Sequence, residues 1–284
     1  MTAIGSLLKQ TVHNFQRHKG QWLAAAIAYY MTFAIAPLII VVVQIAGLVL
    51  GHHRAVLNEI FGYIGSTAGQ GASDAVRSIV SSTFRQTHSG AWALAIGWLI
   101  FLVATIGLFT ALQSALNIVW DLAPTKQSLT QTIRSRATAF GAVVVLALLL
   151  TASLVINSAL TVASSAMAHV YPAIPVLIRA LDFMLSFLVI AVLLSFVFRF
   201  LPDCRVEWGD VWVGSAVTAF LFVVGQFLLG SYLGRTGISS AFGAFAALIV
   251  FLLWTNYSAQ IMLFGAEFTH VFAQTHGSRK SAPK

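Results

Sequence analysis

The stretch Ala246-Ala-Leu-Ile-Val-Phe-Leu-Leu-Trp-Thr-Asn-Tyr-Ser-Ala-Gln-Ile-Met-Leu-Phe-Gly-Ala266 contains no Asp, Glu, Lys or Arg, and the charge-free run around it begins at 236. A helix rising about 1.5 Å per residue needs about 20 mostly apolar residues to cross a hydrocarbon layer about 30 Å thick. This run is long enough. Comparable gaps lie at 20–53, 86–120, 137–178 and 211–234, and a shorter one at 183–198 is extended by apolar flanks. Six helices follow, at roughly 22–50, 91–119, 138–167, 175–200, 211–233 and 241–270. Ala142-Val-Val-Val-Leu-Ala-Leu-Leu-Leu150 is apolar at every position. That excludes the period-2 alternation of a membrane β-barrel. In lipid the remaining way to satisfy the backbone is a helix. The fold class is therefore all-α, a polytopic membrane protein.

The whole composition agrees. Of 284 residues, 58% are hydrophobic and 8% charged, against about 25% charged in soluble domains. Too few charges remain to cover a soluble globule. The first apolar run continues past Val43, so it reads as an uncleaved span and not as a signal peptide.

The net charge of +8 is explained by topology. Lys9, Arg17, Lys19, Lys126, Arg134, Arg136, Arg199, Arg205, Arg279, Lys280 and Lys284 all fall on one predicted side. Lys and Arg accumulate on the cytoplasmic side of membranes. Both termini are thus expected in the cytoplasm, and no nucleic-acid partner is needed to account for the charge. The single Cys204 excludes an intrachain disulfide.

Outside the spans, Ile4, Leu7, Leu8, Val12 and Phe15 share a helical face, predicting an amphipathic interfacial helix over 1–20 that meets membrane lipids. Residues 21–273 form the membrane domain, with an outward loop at about 52–90 holding two short helices. The polar tail 274–284 is expected to be disordered.

Polar residues inside spans are the candidates for function, because lipid makes them costly. Arg179 and Asp182 lie three residues apart on one helix face. Glu267 is the acid of the last span, with His270 one turn further on; its expected role is either a structural pair with Arg199 or Arg205 or a proton-linked one, for which Glu267, His270 and Asp182 are the candidates. Asn256, Tyr257 and Gln260 lie deeper in that span, Gln113 and Asn117 in the second, Asn157 in the third and Gln226 in the fifth. Together they predict a polar cavity, although each alone is explained by interhelical hydrogen bonding. Pro37 should kink the first span. Asp203, Glu207 and Asp210 form a compact acidic group in a cytoplasmic loop, with Asp210 placed to favour the start of a helix. Gly47/Gly51 and Gly230/Gly234 have the spacing of close helix packing, which leaves homo-oligomerisation open. There is no phosphate-binding loop, no HExxH, no GxSxG and no Cys/His set with zinc spacing. No enzyme activity, metal or cofactor is expected.

Several blocks also occur together. Ala24-Ala-Ala-Ile-Ala-Tyr29-Tyr30 with Ala36-Pro37-Leu38 opens the series, followed by Ala115-Leu-Asn117 with Trp120. Leu201-Pro-Asp203, Trp208-Gly-Asp210-Val and Gly214 come next, then Gly230-Ser-Tyr232-Leu-Gly234, Leu253-Trp254, Tyr257-Ser-Ala259 and Gly265-Ala-Glu267-Phe-Thr269. From about residue 10 to 273 this order resembles the bacterial YihY/virulence factor BrkB membrane family. The resemblance implies six inner-membrane helices and a suspected role in moving a lipid or another envelope-related small molecule. A non-transporting envelope assembly or scaffold protein is the alternative. The family's older label, ribonuclease BN, finds no nuclease motif here. Asp121 and Ala123-Pro124 depart from the more basic segment expected after Trp120, which weakens any phosphate-binding role there.

Overall fold

The structure, a computed structural model, describes residues 3–34, 91–122, 174–235 and 246–279, with scattered positions between 57 and 77. The described residues are helical and contain no strand. Six helices organise them: α1 (Ala3–Arg17), α2 (residues 20–34), α3 (Ala91–Val119), α4 (Ile174–Phe200), α5 (Trp208–Arg235) and α6 (Ala246–Thr275). The expected span at 138–167 lies outside the described residues. So does most of the outward loop, although the Ser73 hydroxyl donates to the Phe61 carbonyl at 2.7 Å and Arg77 lies over the Phe61 ring. Those contacts join its two expected helices.

Residues 208–225 and 249–275 are long and apolar enough to cross a membrane, and shorter apolar stretches run over 103–119 and 187–200. Large apolar side chains face outward along them: Met184 and Leu188 on α4, Phe220 and Leu228 on α5, Leu253 on α6. A water-facing surface would not favour that pattern; lipid does.

The core sits at one end of the bundle. Ala24 and Ile27 of α2 meet Ala115, Leu116 and Val119 of α3, Phe198 of α4, Val211 of α5, and Leu263, Ala266 and Ala273 of α6. The start of α2, the ends of α3 and α4, the start of α5 and the end of α6 therefore converge. Residues 201–207 turn α4 directly into α5.

α5 and α6 run antiparallel and touch through small residues. The Thr269 side chain occupies the space a β-carbon at Gly214 would need, and Thr218 does the same at Gly265. Further along, Tyr257 and Ile261 cover Gly225. Each threonine donates to the carbonyl four residues back, Thr218 to Gly214 at 2.6 Å and Thr269 to Gly265 at 2.7 Å. Its hydroxyl is satisfied within its own helix, and that same oxygen is the side-chain atom nearest the glycine opposite. Van der Waals packing of this kind holds helices together where lipid offers no hydrophobic gain. The glycine pairs predicted for close packing are elsewhere: Gly47 and Gly51 lie outside the described residues.

α1 packs on α6 with Leu7, Thr11 and Asn14 turned inward, while Leu8 and Val12 are exposed. The expected single apolar face is thus divided. Phe15 makes an edge contact with Phe264, their ring centroids 5.9 Å apart. Residues 276–279 do not trail away as the expected tail. They fold back, with Arg279 N–H donating to Ala273 O at 3.0 Å.

Candidate functional site

The site forms where α1, α3 and α6 end together. α1 closes on two backbone bonds, His18 N–H to Asn14 O and Lys19 N–H to Gln16 O, and Lys19 takes φ of 54°. This left-handed residue redirects the chain into α2 and leaves His18 at the elbow. Gly20 follows, with the Phe15 ring where its β-carbon would stand.

α3 ends in a Schellman turn: Leu122 N–H reaches Asn117 O at 2.9 Å and Asp121 N–H reaches Ile118 O at 3.0 Å. The left-handed position, usually glycine, is Asp121 at φ 51°. An acid at a helix C-terminus also meets the wrong end of the dipole. Two neighbours from the first elbow offset both costs. Arg17 Nη2 donates to both Asp121 oxygens, at 3.0 and 3.1 Å, and His18 Nε2 lies 3.1 Å from Oδ1.

The other His18 nitrogen, Nδ1, lies 2.5 Å from Glu267 Oε1. The Glu267 side chain is fully buried, His18 nearly so, and Asp121 is half exposed, with 0%, 8% and 53% of their side-chain surface open. A single imidazole therefore links an inaccessible carboxylate to one that meets solvent. The partner expected for Glu267 was Arg199 or Arg205. It is His18, because the rotation of α6 turns Glu267 toward α1 while Arg199 lies over Trp208.

One turn beyond Glu267, His270 packs its ring against Trp120, centroids 4.9 Å apart, and its Nε2 pairs with Gln274 at 2.7 Å. Arg279 covers the outer face of Trp120 at 5.0 Å and donates to Arg205 O at 2.9 Å. Inside this cap, Trp120 Nε1 and Glu267 Oε2 are buried without a hydrogen-bond partner, while the buried His270 ring bonds to the Val119 backbone.

Other predicted residues fall into separate places. Asp203 accepts from Asn117 Nδ2 at 2.7 Å and from Gln113 Nε2 at 3.0 Å, and its own N–H donates to Asn117 Oδ1 at 2.9 Å. Asn117 and Gln113 thus tie α3 to the 201–207 turn. Asp210, buried in the first turn of α5, accepts from the Ser278 hydroxyl at 2.6 Å and from Ser278 N–H at 3.2 Å. Asp203 and Asp210 face different partners and Glu207 is exposed, so the expected acidic group does not converge. Between the two acids lies Cys204, whose thiol burial pushes above its ordinary value while Arg279 pulls it back.

Gln260 donates to Asn256 at 2.5 Å, a bond along one helix turn. Tyr257 lies against Gly225. Tyr29 and Tyr30 are exposed, stack edge-on with centroids 5.4 Å apart, and Tyr30 also covers Gly107 of α3. Pro37 and Asn157 lie outside the described residues, as do the side chains of Arg179, Asp182 and Gln226. His18, Arg17, Asp121 and Trp120 were not singled out by sequence reasoning as one site. The available signal was the misplaced acid after Trp120.

Comparison with known proteins agrees with this membrane architecture. A family model described as Virulence factor BrkB matches residues 11–284. A UPF0761 membrane protein of Pseudomonas aeruginosa is 27% identical over 279 residues, covering 96% of this chain and 64% of the relative. A UPF0761 membrane protein of Rhodospirillum centenum is 27% identical over 271 residues, covering 94% and 57%. One from Paraburkholderia xenovorans is 30% identical over 173 residues, covering 60% and 38%. The chain spans less than two thirds of the length of these curated relatives. No solved structure matches it. With the family match extending over nearly the whole chain, and apolar helices that turn their large side chains outward, the chain belongs to the Virulence factor BrkB family of membrane proteins.

Proposed function

We propose that this protein is an inner-membrane transporter or flippase-like protein for a lipid or another envelope-related small molecule. In this reading it has six crossings and both termini in the cytoplasm, and it carries out no covalent chemistry. The observation that carries it is the fully buried Glu267 carboxylate, linked by His18 to the half-exposed Asp121, with its own Oε2 and the nearby Trp120 Nε1 left unpartnered. A protein that served only as a scaffold would gain stability by replacing those groups with apolar ones, since unsatisfied buried polar atoms each cost about 1–3 kcal/mol. Retaining them fits a site that changes state.

The topology has its own support. Helix ends converge as six alternating crossings would require, and α3 and α4 both finish at the shared end. Lys9, Arg17, Lys19, Arg199, Arg205 and Arg279 belong to the elements gathered at the shared end, as the distribution of basic residues in cytoplasmic loops predicts.

The envelope scaffold remains the second reading, favoured by the clips that Asp203 and Asp210 make. Reconstitution into liposomes separates the two. Flux of fluorescent phospholipids or small anionic and neutral solutes above protein-free vesicles supports transport. Folded protein that moves nothing across that panel supports the scaffold.

A further inference from the structure

We propose that His18, its ring oriented by Asp121, relays protons between the aqueous edge of α1 and α3 and the buried carboxyl group of Glu267 in α6. The inference rests on the transport reading for its purpose, since it names the ion coupled to movement, but its geometry stands alone.

The imidazole contacts identify two alternative states. His18 Nε2 is 2.9 Å from Arg17 Nη2 and 3.1 Å from Asp121 Oδ1. Arginine can only donate, and an ionised carboxylate can only accept. Nε2 therefore accepts from Arg17 in one tautomer and donates to Asp121 in the other. In the first, Nδ1 carries the proton and donates it to Glu267 Oε1. A proton arriving from water at Nε2 makes the ring cationic; the Nδ1 proton then passes to Oε1. The products are a neutral Glu267 carboxylic acid and a neutral His18 whose Nε2–H points at Asp121. One proton enters, one N–H bond forms, one breaks and one O–H bond forms. Reversal returns the proton.

A purely structural ion pair fits these contacts less well. Buried pairs stabilise only when their remaining lone pairs are also satisfied. Here Glu267 Oε2 and Trp120 Nε1 are both buried and unpartnered, on residues that are 0% and 3% exposed. They supply both donors and acceptors, the lining a mobile proton or a bridging water requires. The charged and titratable groups bearing on this locus are Arg17 and His18 from the α1 elbow, Asp121 from the end of α3, His270 on α6 itself and Arg279 from the folded-back tail. α5, packed on another face of α6, presents Gly214 and Thr218 there.

The test uses the full chain in lipid nanodiscs, with infrared difference spectra recorded between about pH 4 and pH 9, a window that brackets carboxylate and imidazole titration. A protonated-carboxyl band that titrates in this window, disappears in Glu267→Gln and moves its midpoint by about one pH unit in His18→Asn supports the relay. A band indifferent to His18→Asn, or the absence of any band lost in Glu267→Gln, overturns it. Should Glu267→Gln fail to fold, nitrogen chemical shifts of labelled histidine decide. A His18 signal that exchanges between tautomers and responds to Asp121→Asn supports the relay; a single fixed tautomer overturns it. Titration with no flux across the liposome panel would leave the relay and remove the transport reading. Flux without titration would do the reverse.

Discussion

Thr269 of α6 lies where the β-carbon of residue 214 would stand, so Gly214 of α5 has no side chain because its neighbour has already taken the space. The contact is repeated in reverse by Thr218 and Gly265. Gly214→Ala should therefore lower stability by about 1–3 kcal/mol, the usual cost of overpacking. Thermal unfolding in detergent measures it, and Gly265→Ala should match. Gly209, with open space at its β-carbon, is the control. Equal melting of Gly214→Ala and the parent would show that the helices separate freely here.

Asn117 makes two bonds to Asp203, one of them to its backbone N–H, while Gln113 makes one to the same carboxylate. Asn117→Ala should cost about 1–2 kcal/mol and exceed the effect of Gln113→Ala. The same unfolding assay ranks them. A reversed order would place the anchor of the 201–207 turn on Gln113.

Asp210 holds the chain after α6 through both the hydroxyl and the N–H of Ser278. Asp210→Ala should release residues 276–279 and speed tryptic cleavage after Arg279 at least about threefold, because proteolysis follows local opening. Ser278→Ala, which keeps the backbone bond, should have a smaller effect. Unchanged cleavage in Asp210→Ala would mean that Arg279 fixes the segment unaided.

The Cys204 thiol is raised by burial and by the Asp203 charge, and lowered by Arg279. Only the thiolate attacks an alkylating reagent. Alkylation by iodoacetamide should therefore be slow at neutral pH and reach half its plateau rate above the ordinary thiol range. Arg279→Ala should move that midpoint upward and Asp203→Asn downward. The pH profile is the readout, since a change in access alters the plateau without moving the midpoint. A downward movement in Arg279→Ala would reverse the assigned sign.

Four of the expected helices, those falling on described residues, were legible because charge is easily counted. The run expected at 91–119 is α3, that at 175–200 is α4 with one more residue, that at 211–233 is α5 with three more residues at its start and two at its end, and the last helix runs 246–275 where 241–270 was expected. Rotation about each axis was not legible. Glu267 was matched to Arg199 or Arg205 by depth alone, yet depth does not say which way a side chain points. Likewise Asp203 and Asp210 are close in sequence, but one belongs to a turn and the other to a helix start, so they diverge. Asn256 and Gln260 were grouped with Gln113 and Asn117 as cavity residues; a bond along one helix turn and a clip to Asp203 account for them separately. The interlocked Gly-x-x-x-Thr pairs left a readable trace, Gly214/Thr218 and Gly265/Thr269, which carries meaning only once the two helices are known to be antiparallel neighbours.

His18 and Glu267 are 249 residues apart in the chain. Synthesis therefore produces the imidazole long before the carboxylate it will meet, and His18 must wait at the membrane surface while every intervening helix is made. The Glu267 environment can close only when the last helix arrives. A protein interrupted anywhere before α6 would lack this closure and present an unfinished edge to cellular quality control.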